Sequence, residues 1–211
     1  MRARRFTLLG LLVASLVRAE SPPGTLLANG SFDANLGISG WSVDLATVDS
    51  LETPSLTWNA TDSPLFNCPA SGFAKGGLES ILNNAEIDLV SDCVPVGGLE
   101  AVRIGYSGTV GGDFTLNRAK LRLASYSGPS CDAEQLITST EVSTVVSPWN
   151  LVDLGEVALP PTTAAVRLVF QIQGLFCGTT CFMAVHFDNV ILSSPNLLFS
   201  DGFEGGAVCR W

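Results

Sequence analysis

The stretch AVRLVFQIQ, residues 165–173, alternates apolar and polar side chains over most of its length. A period of two residues is typical of a β-strand that covers a core with one face only. The apolar positions are Val166, Leu168, Phe170 and Ile172. The polar positions are Arg167, Gln171 and Gln173. This stretch therefore predicts a strand with one buried face and one face open to solvent.

The stretch AKLRLASYS, residues 119–127, has the same pattern, with Lys120, Arg122 and Tyr126 on its polar side. Four other stretches read as strands: AEIDLVSDCVPV (85–96), EAVRIGYSG (100–108), NLVDLGEVAL (150–159) and MAVHFDNVIL (183–192). Turns rich in glycine and proline separate them, and no stretch has a sustained helical period. Many short strands with polar outer faces predict an all-β fold, an antiparallel β-sandwich of jelly-roll type.

Residues 51–77 have no regular pattern and are predicted to form a long irregular segment, which includes Trp58. Loops of this length in a compact domain are usually functional or poorly ordered. This segment is therefore the first place to look for a binding site.

The first nineteen residues have the layout of a secretory signal peptide. Arg2, Arg4 and Arg5 form a basic start, an apolar run covers residues 6–17, and Ala19 ends a small-residue cleavage site. The run is shorter than the roughly 20 residues that a membrane-spanning helix needs. We therefore expect an exported protein, secreted or held in the cell envelope, without a membrane span.

The sequence has 20 acidic against 11 basic residues, a net charge of −9 at pH 7. Four of the basic residues lie in the predicted signal peptide, so the exported chain is more acidic still. Phosphate groups repel such a chain, which argues against nucleic acid and anionic membrane surfaces as partners.

Six cysteines follow the signal peptide: Cys68, Cys93, Cys131, Cys177, Cys181 and Cys209. An even number in an exported chain predicts three disulfides, whereas a single histidine and one close cysteine pair argue against zinc. Cys177 and Cys181 are near enough in sequence to close a small loop. The composition leaves the other pairings open.

Two motifs resemble those of a known family. LLANGSFDANLGISGWSVD, residues 26–44, resembles the opening of CenC-type carbohydrate-binding modules, which belong to the galactose-binding-like superfamily. MAVHFDNVILSS, residues 183–194, resembles their closing strand. The resemblance implies one jelly-roll domain over residues 20–195, with a polysaccharide or glycan as partner and Trp41 in the core. It leaves residues 196–211 as a separate tail.

The resemblance also implies a structural calcium ion. The family's ligands match Asp33 in the opening motif and Asp188 in the closing one. Calcium prefers several oxygen ligands, and two carboxylates from the first and last strands would supply part of such a set. Asn189 stands where relatives often have a second aspartate. The alternative is that both aspartates accept hydrogen bonds from backbone amides at strand ends.

The tail LFSDGFEGGAVCRW, residues 198–211, resembles a Phe-x-Asp-Gly-Phe-Glu motif found at the end of many exported bacterial proteins. It could be a mark read after export, an additional edge strand, or a chance similarity to the opening motif. A packed tail is favoured, with Cys209 bonded to Cys68. That leaves Cys93 for Cys131, at positions similar to the family's, before and after adjacent strands.

Catalytic patterns are weak in this sequence. His186 is the single histidine, and no G-x-S-x-G motif provides a nucleophile for it. Glu79, Glu86 and Asp88 could supply the two carboxyl groups of a glycoside hydrolase, although the solvated surface of an acidic secreted domain explains them better.

A sugar site needs an exposed aromatic ring surrounded by polar groups. Trp58 is the best candidate ring, because Trp41, Trp149 and Trp211 are assigned to the core, a strand start and the tail. The other predicted ligand residues come from polar strand faces: Tyr126, Arg122, Arg167, Gln171 and Gln173. A non-catalytic carbohydrate-binding module is the leading hypothesis. The alternatives are a structural or adhesion sandwich without a sugar site, which the few aromatic residues favour, and a small hydrolase.

Overall fold

The computed structural model describes residues 25–30, 32, 37–59 and 72–195. These residues form eleven strands and one short 3₁₀ turn, Ala133–Gln135. The predicted signal peptide, residues 1–19, and the predicted tail, residues 196–211, lie outside them. Within the described ranges, no helix has the length and apolar character needed to cross a membrane.

The strands, in chain order, are β1 (Trp41–Val43), β2 (Glu52–Asn59), β3 (Phe73–Ser80), β4 (Asn84–Ser91), β5 (Val94–Pro95), β6 (Ala101–Gly112), β7 (Leu116–Tyr126), β8 (Leu136–Val145), β9 (Asn150–Ala158), β10 (Ala165–Leu175) and β11 (Cys181–Ser193). A six-stranded sheet has the order β1-β4-β10-β7-β8, with β5 beside the start of β10. A five-stranded sheet has the order β2-β3-β11-β6-β9. All pairs are antiparallel, which confirms the predicted sandwich.

The core lies between the two sheets and is centred on aromatic rings. Phe170 of β10 stacks on Phe187 of β11, with ring centres 4.3 Å apart. Trp41 contacts both rings and donates its indole N–H to the carbonyl of Asn29 at 3.2 Å. The predicted apolar face of residues 165–173 is fully buried here, and Trp41 is a core residue as expected. The alternating pattern thus places the polar face of β10 outside the sandwich.

The opening segment pairs with the last strand. The N–H of Leu26 donates to the carbonyl of Leu192 at 2.6 Å, and the N–H of Val190 donates to the carbonyl of Gly30 at 2.8 Å. A Cβ atom on Gly30 would lie 1.8 Å from the carbonyl oxygen of Val190, so only glycine fits this approach. The contact brings the two family-like motifs together.

The prediction of an irregular segment over residues 51–77 is wrong where the structure describes it, because β2 and the start of β3 lie within it, and its middle part, residues 60–71, lies outside the described residues. Pro54 obscures the alternation of β2, although proline is tolerated in an edge strand such as this one. Gly76 weakens the apolar pattern of β3. A Cβ atom there would lie 2.0 Å from Cδ1 of Leu89, so the glycine allows the two sheets to approach closely.

Two disulfides lie in the described part of the chain. Cys177 bonds to Cys181 across the turn that enters β11. Cys93 bonds to Cys131 and ties the turn after β7 to the segment before β5. Both match the predicted pairs, and the predicted pair Cys68–Cys209 lies outside the described residues.

Candidate functional site

The outer face of the six-stranded sheet carries a polar pocket of about 300 Å³. Its walls include Asp88 of β4, Arg122 of β7, Arg167 of β10, and Asp44 in the turn after β1. Because β10 pairs with both β4 and β7, outward side chains of three neighbouring strands meet here. The period-two pattern in these strands is therefore what builds the pocket.

The structure brings together three of the six predicted ligand residues, since Arg122, Tyr126 and Arg167 line this pocket. Gln171 and Gln173 follow on the same face of β10, and their amides donate hydrogen bonds to Glu86 Oε1 (3.0 Å) and Asn84 Oδ1 (3.2 Å). These two glutamines therefore border the pocket, each with one amide N–H already engaged.

Trp58 is not part of this group, because it lies on β2 in the other sheet. Its indole N–H donates to the carbonyl of Phe32 at 2.8 Å, and its half-buried ring packs against the core. A Cβ atom on Gly72 would lie 2.4 Å from Trp58 Nε1, which shows how closely the backbone covers the ring. Trp58 is held by interior contacts at an inward position of an edge strand.

Tyr126 lines the pocket but exposes only 7 % of its surface. It belongs to a small apolar cluster on the outer face of the sheet, with Ala124, Val169 and the Cys131 disulfide. Burial raises the pKa of its hydroxyl, and the nearby Arg167 opposes this change. With its ring covered, Tyr126 offers little surface on which a sugar could stack.

Asp88 has an unusual environment in this pocket. Its Oδ1 atom is buried and has no hydrogen-bond partner among the described residues. Burial raises the pKa of its carboxyl group to about 6, and the nearby charge of Glu86 contributes in the same direction. Arg122 opposes this change, while Asp44 adds to it. Sequence alone identified Asp88 as a possible acid but gave no sign of Asp44, which reaches the pocket from a turn.

The two arginines supply hydrogen-bond donors to the pocket. Arg122 Nη2 donates to the carbonyl of Ser139 at 3.0 Å, which fixes its guanidinium group against β8. Arg167 Nε is buried and has no partner within the described ranges. A planar guanidinium group with free N–H donors can bind pairs of oxygen atoms on a ligand.

The predicted calcium ligands can be tested in part, because Asp33 lies outside the described residues. Asp188 is fully buried at an irregularity of β11, and both its carboxylate oxygens accept hydrogen bonds from Asn189. In the adjoining opening segment, Asn29 Oδ1 is buried without a described partner. Buried carboxylate and amide oxygens fit the preference of calcium. The described residues contain no group of three acidic, histidine or cysteine side chains that could hold a metal.

His186 lies on the outer face of the five-stranded sheet, where its ring lies 5.0 Å from that of Phe73 and 6.3 Å from that of Trp149. Its Nε2 atom is buried and accepts or donates no hydrogen bond among the described residues. Burial lowers the pKa of His186, and the charge of Lys75 lowers it further. These contacts give His186 a packing role.

Among the cavities of the described residues, a larger one of about 610 Å³ lies at one end of the sandwich. Residues 97–100 and 159–164 line it, chiefly with backbone and apolar groups. Among the described residues that line it, Glu100 is the one charged side chain, so it has fewer charged groups for orienting a ligand than the pocket at Arg122.

Several solved structures share this fold. A carbohydrate-binding module of the β-sandwich superfamily, described as promiscuous in specificity, superposes with a TM-score of 0.53 at 11 % identity, covering 77 % of this chain and 60 % of its own. The enzymatically active domain of bacteriophage CBA120 tailspike protein 4 gives 0.52 at 14 % identity, covering 82 % and 22 %. An arabinose-bound α-L-arabinofuranosidase gives 0.50 at 13 % identity, covering 82 % and 27 %.

The chain thus spans less than two thirds of the length of each of these three proteins. At such low identities the likeness shows the fold alone. No family model matches the sequence, and no curated protein matches it either.

Proposed function

We propose that this chain is an exported, non-catalytic carbohydrate-binding module of the CenC type. The observation that carries the proposal is the pocket in which Arg122, Arg167 and Asp88 meet on the outer face of the six-stranded sheet. Guanidinium donors beside a carboxyl acceptor suit the paired hydroxyl groups of a sugar. The β-sandwich fold supports the proposal, and the two described disulfides support export, since disulfides persist in oxidising compartments.

Calorimetric titration of the purified protein against a panel of neutral oligosaccharides tests the proposal. Arg167→Gln should weaken the binding of any oligosaccharide that binds the parent protein by about tenfold or more. Hydrogen bonds to charged groups contribute about 1.5–3 kcal/mol. Arg118→Gln is the matched control, since Arg118 is an exposed residue of β7 outside the pocket lining. Absence of binding across the panel, with the fold intact, would contradict the proposal.

A structural or adhesion role without a sugar site is the second candidate. The burial of Tyr126 favours it, because Tyr126 is the one aromatic side chain among the described residues that line this pocket. Sugar-binding sites rely on exposed rings for stacking. If no oligosaccharide of the panel binds and Arg167→Gln leaves the melting temperature unchanged, this role is the better explanation of the fold.

A small glycoside hydrolase is the third candidate, and Asp88 is the observation that favours it. Its carboxyl group has a pKa of about 6, and Asp44 lines the same pocket. Two carboxyl groups in one pocket, one of them with a raised pKa, form the arrangement of a general acid and its partner. Release of reducing ends from an oligosaccharide that stops in Asp88→Asn would establish this activity. No release from any substrate would leave the chain non-catalytic.

We also propose a structural calcium ion at the junction of the opening and closing segments, with Asp188 and Asp33 among its ligands. Calcium should raise the melting temperature of the protein and chelation should lower it, because an ion that binds only the folded state stabilises that state. Asp188→Asn should abolish this response even if its starting stability is lower. A calcium response of unchanged size in Asp188→Asn would overturn the assignment.

A further inference from the structure

The outer face of the five-stranded sheet has a second pocket, of about 410 Å³. It lies on the opposite side of the sandwich from the pocket at Arg122. A Cβ atom on Gly76 would contact Leu89 of the facing sheet, so its neighbours Lys75 and Gly77 point away from the core. The volume falls within the range of about 300–1,000 Å³ that is usual for small-molecule sites.

An exposed aromatic ring forms one wall of this second pocket. Phe182 exposes 38 % of its surface, and its ring lies beside Gly77, where an added Cβ would come within 3.1 Å of ring carbon Cε2. Ala184 and Gly111, which pair across β11 and β6, leave a low floor next to the ring. A Cβ atom on Gly111 would meet nothing within 4 Å. One side of the ring is covered at Gly77, and its exposed part can contact a flat apolar ligand surface, such as the C–H face of a sugar.

The charge of the pocket is positive. Lys75 Nζ lies 5.4 Å from the centre of the Phe182 ring, and no salt bridge of Lys75 occurs among the described residues. Among the described residues, no aspartate or glutamate lines the pocket, although Glu79 lies opposite Phe182 in the neighbouring strand and Asp113 Oδ1 accepts a hydrogen bond from the N–H of Phe182. His186, with its lowered pKa, is neutral at pH 7. Lys75 is the one ammonium group among the described residues that line the pocket, and such a group is suited to a carboxylate ligand.

Polar groups for the rest of a sugar are also present. The side chains of Thr109 and Ser147 line the pocket, and a hydroxyl group can both donate and accept a hydrogen bond. His186 lines it too, with its Nε2 atom buried behind the lining. An exposed ring, a cation and hydroxyl groups around one cavity form the chemical set that recognises an acidic sugar.

We propose that this second pocket binds a uronic acid residue of an acidic glycan, with the sugar ring on Phe182 and the carboxylate at Lys75. The inference goes beyond the proposed function, because it concerns the other sheet and a charged ligand. It does not depend on binding at Arg122 and Arg167.

Titration of the protein with α-1,4-trigalacturonate, compared with the same trisaccharide methyl-esterified at its carboxyl groups, tests the inference. Lys75→Gln should weaken trigalacturonate binding by about tenfold or more and should leave binding of the ester unchanged. Phe182→Ala should weaken binding of both. Lys120→Gln, which makes the same change on the opposite sheet, and Phe176→Ala, which removes another exposed ring, are the matched controls and should bind as the parent protein does.

Amide chemical-shift mapping with trigalacturonate gives a second measurement that does not rely on variants. The largest changes should fall at Gly111, Ala184 and Phe182. Absence of binding, equal affinity for the ester, or unchanged affinity in Lys75→Gln would overturn the inference. Shifts confined to the pocket at Arg122 would also overturn it while supporting the proposed function, so the two can fail separately.

Discussion

The carboxyl group of Asp88 has lost much of its water and lies close to Glu86 and Asp44, so its ionisation is unfavourable in the folded protein. Its folded pKa of about 6 exceeds the ordinary value of 3.8. The folded state therefore holds this proton more tightly than the unfolded state. The resulting stabilisation is fully present below about pH 4 and is lost as the pH rises through 6.

Asp88→Asn should therefore stabilise the protein at pH 7.5 by about 1 kcal/mol, after allowance for solvent screening of this partly exposed group, or about 2–4 °C in melting temperature. At pH 4 the substitution should have little effect, because the carboxyl group is then protonated in the folded state. Thermal melts at the two pH values measure the difference. Glu134→Gln, at an exposed position, should show none, and a pH-independent effect of Asp88→Asn would contradict the assignment.

Among the elements, the two described disulfides close loops of very different length. Cys93 and Cys131 are 38 residues apart, whereas Cys177 and Cys181 are 4 apart. A longer closed loop restricts the unfolded chain more. Replacing both cysteines by alanine should cost about 4 kcal/mol for the first pair and about 2 kcal/mol for the second. Urea unfolding of the two double variants measures the loss in free energy of unfolding. Equal losses would show that packing in the folded state, and not loop length, determines the contribution of each disulfide.

Strands could be predicted from the sequence where apolar and polar residues alternate, because this alternation alone determines which face of the sheet each side chain lies on. The alternation over residues 119–127 and 165–173 places Arg122 and Arg167 on one outer face, and pairing of β7 with β10 brings them together. Strands β3 and β2 were missed because of Gly76 and Pro54. A glycine that allows close packing of the sheets does not look apolar in the sequence, and a proline interrupts the alternating pattern. Tyr126 alternates as an exposed residue, yet it is buried in a cluster with Val169 of β10 and the Cys93–Cys131 disulfide. Such coverage depends on residues distant in sequence.

Over the whole molecule, acidic side chains outnumber basic ones, and like charges repel one another in the compact state. The described residues contain two ion pairs, Arg103–Asp153 and Lys120–Glu141, and neither is deeply buried. Exposed pairs of this kind contribute about 0–1 kcal/mol each. Repulsion should therefore outweigh these attractions.

Sodium chloride should accordingly raise the melting temperature between 10 mM and 150 mM, because screening weakens the repulsion over longer distances more than the short contacts. The melts are run at pH 7.5 with chelator present, so that divalent ions do not contribute. A melting temperature that falls with added salt would show that specific ion pairs dominate instead. Potassium chloride at equal ionic strength is the control and should behave identically.

The pairing of the opening segment with the last strand also determines how this domain bears a pulling force. The chain enters at Thr25 and leaves beside it at Ser193, where the two form an antiparallel bridge. Tension applied through the two ends would load the Leu26–Leu192 hydrogen bond first and the Val190–Gly30 bond only afterwards. Bonds that break one after another resist less force than bonds sheared together. A single-molecule stretching curve should therefore show this junction unzip at low force while the two sheets remain intact.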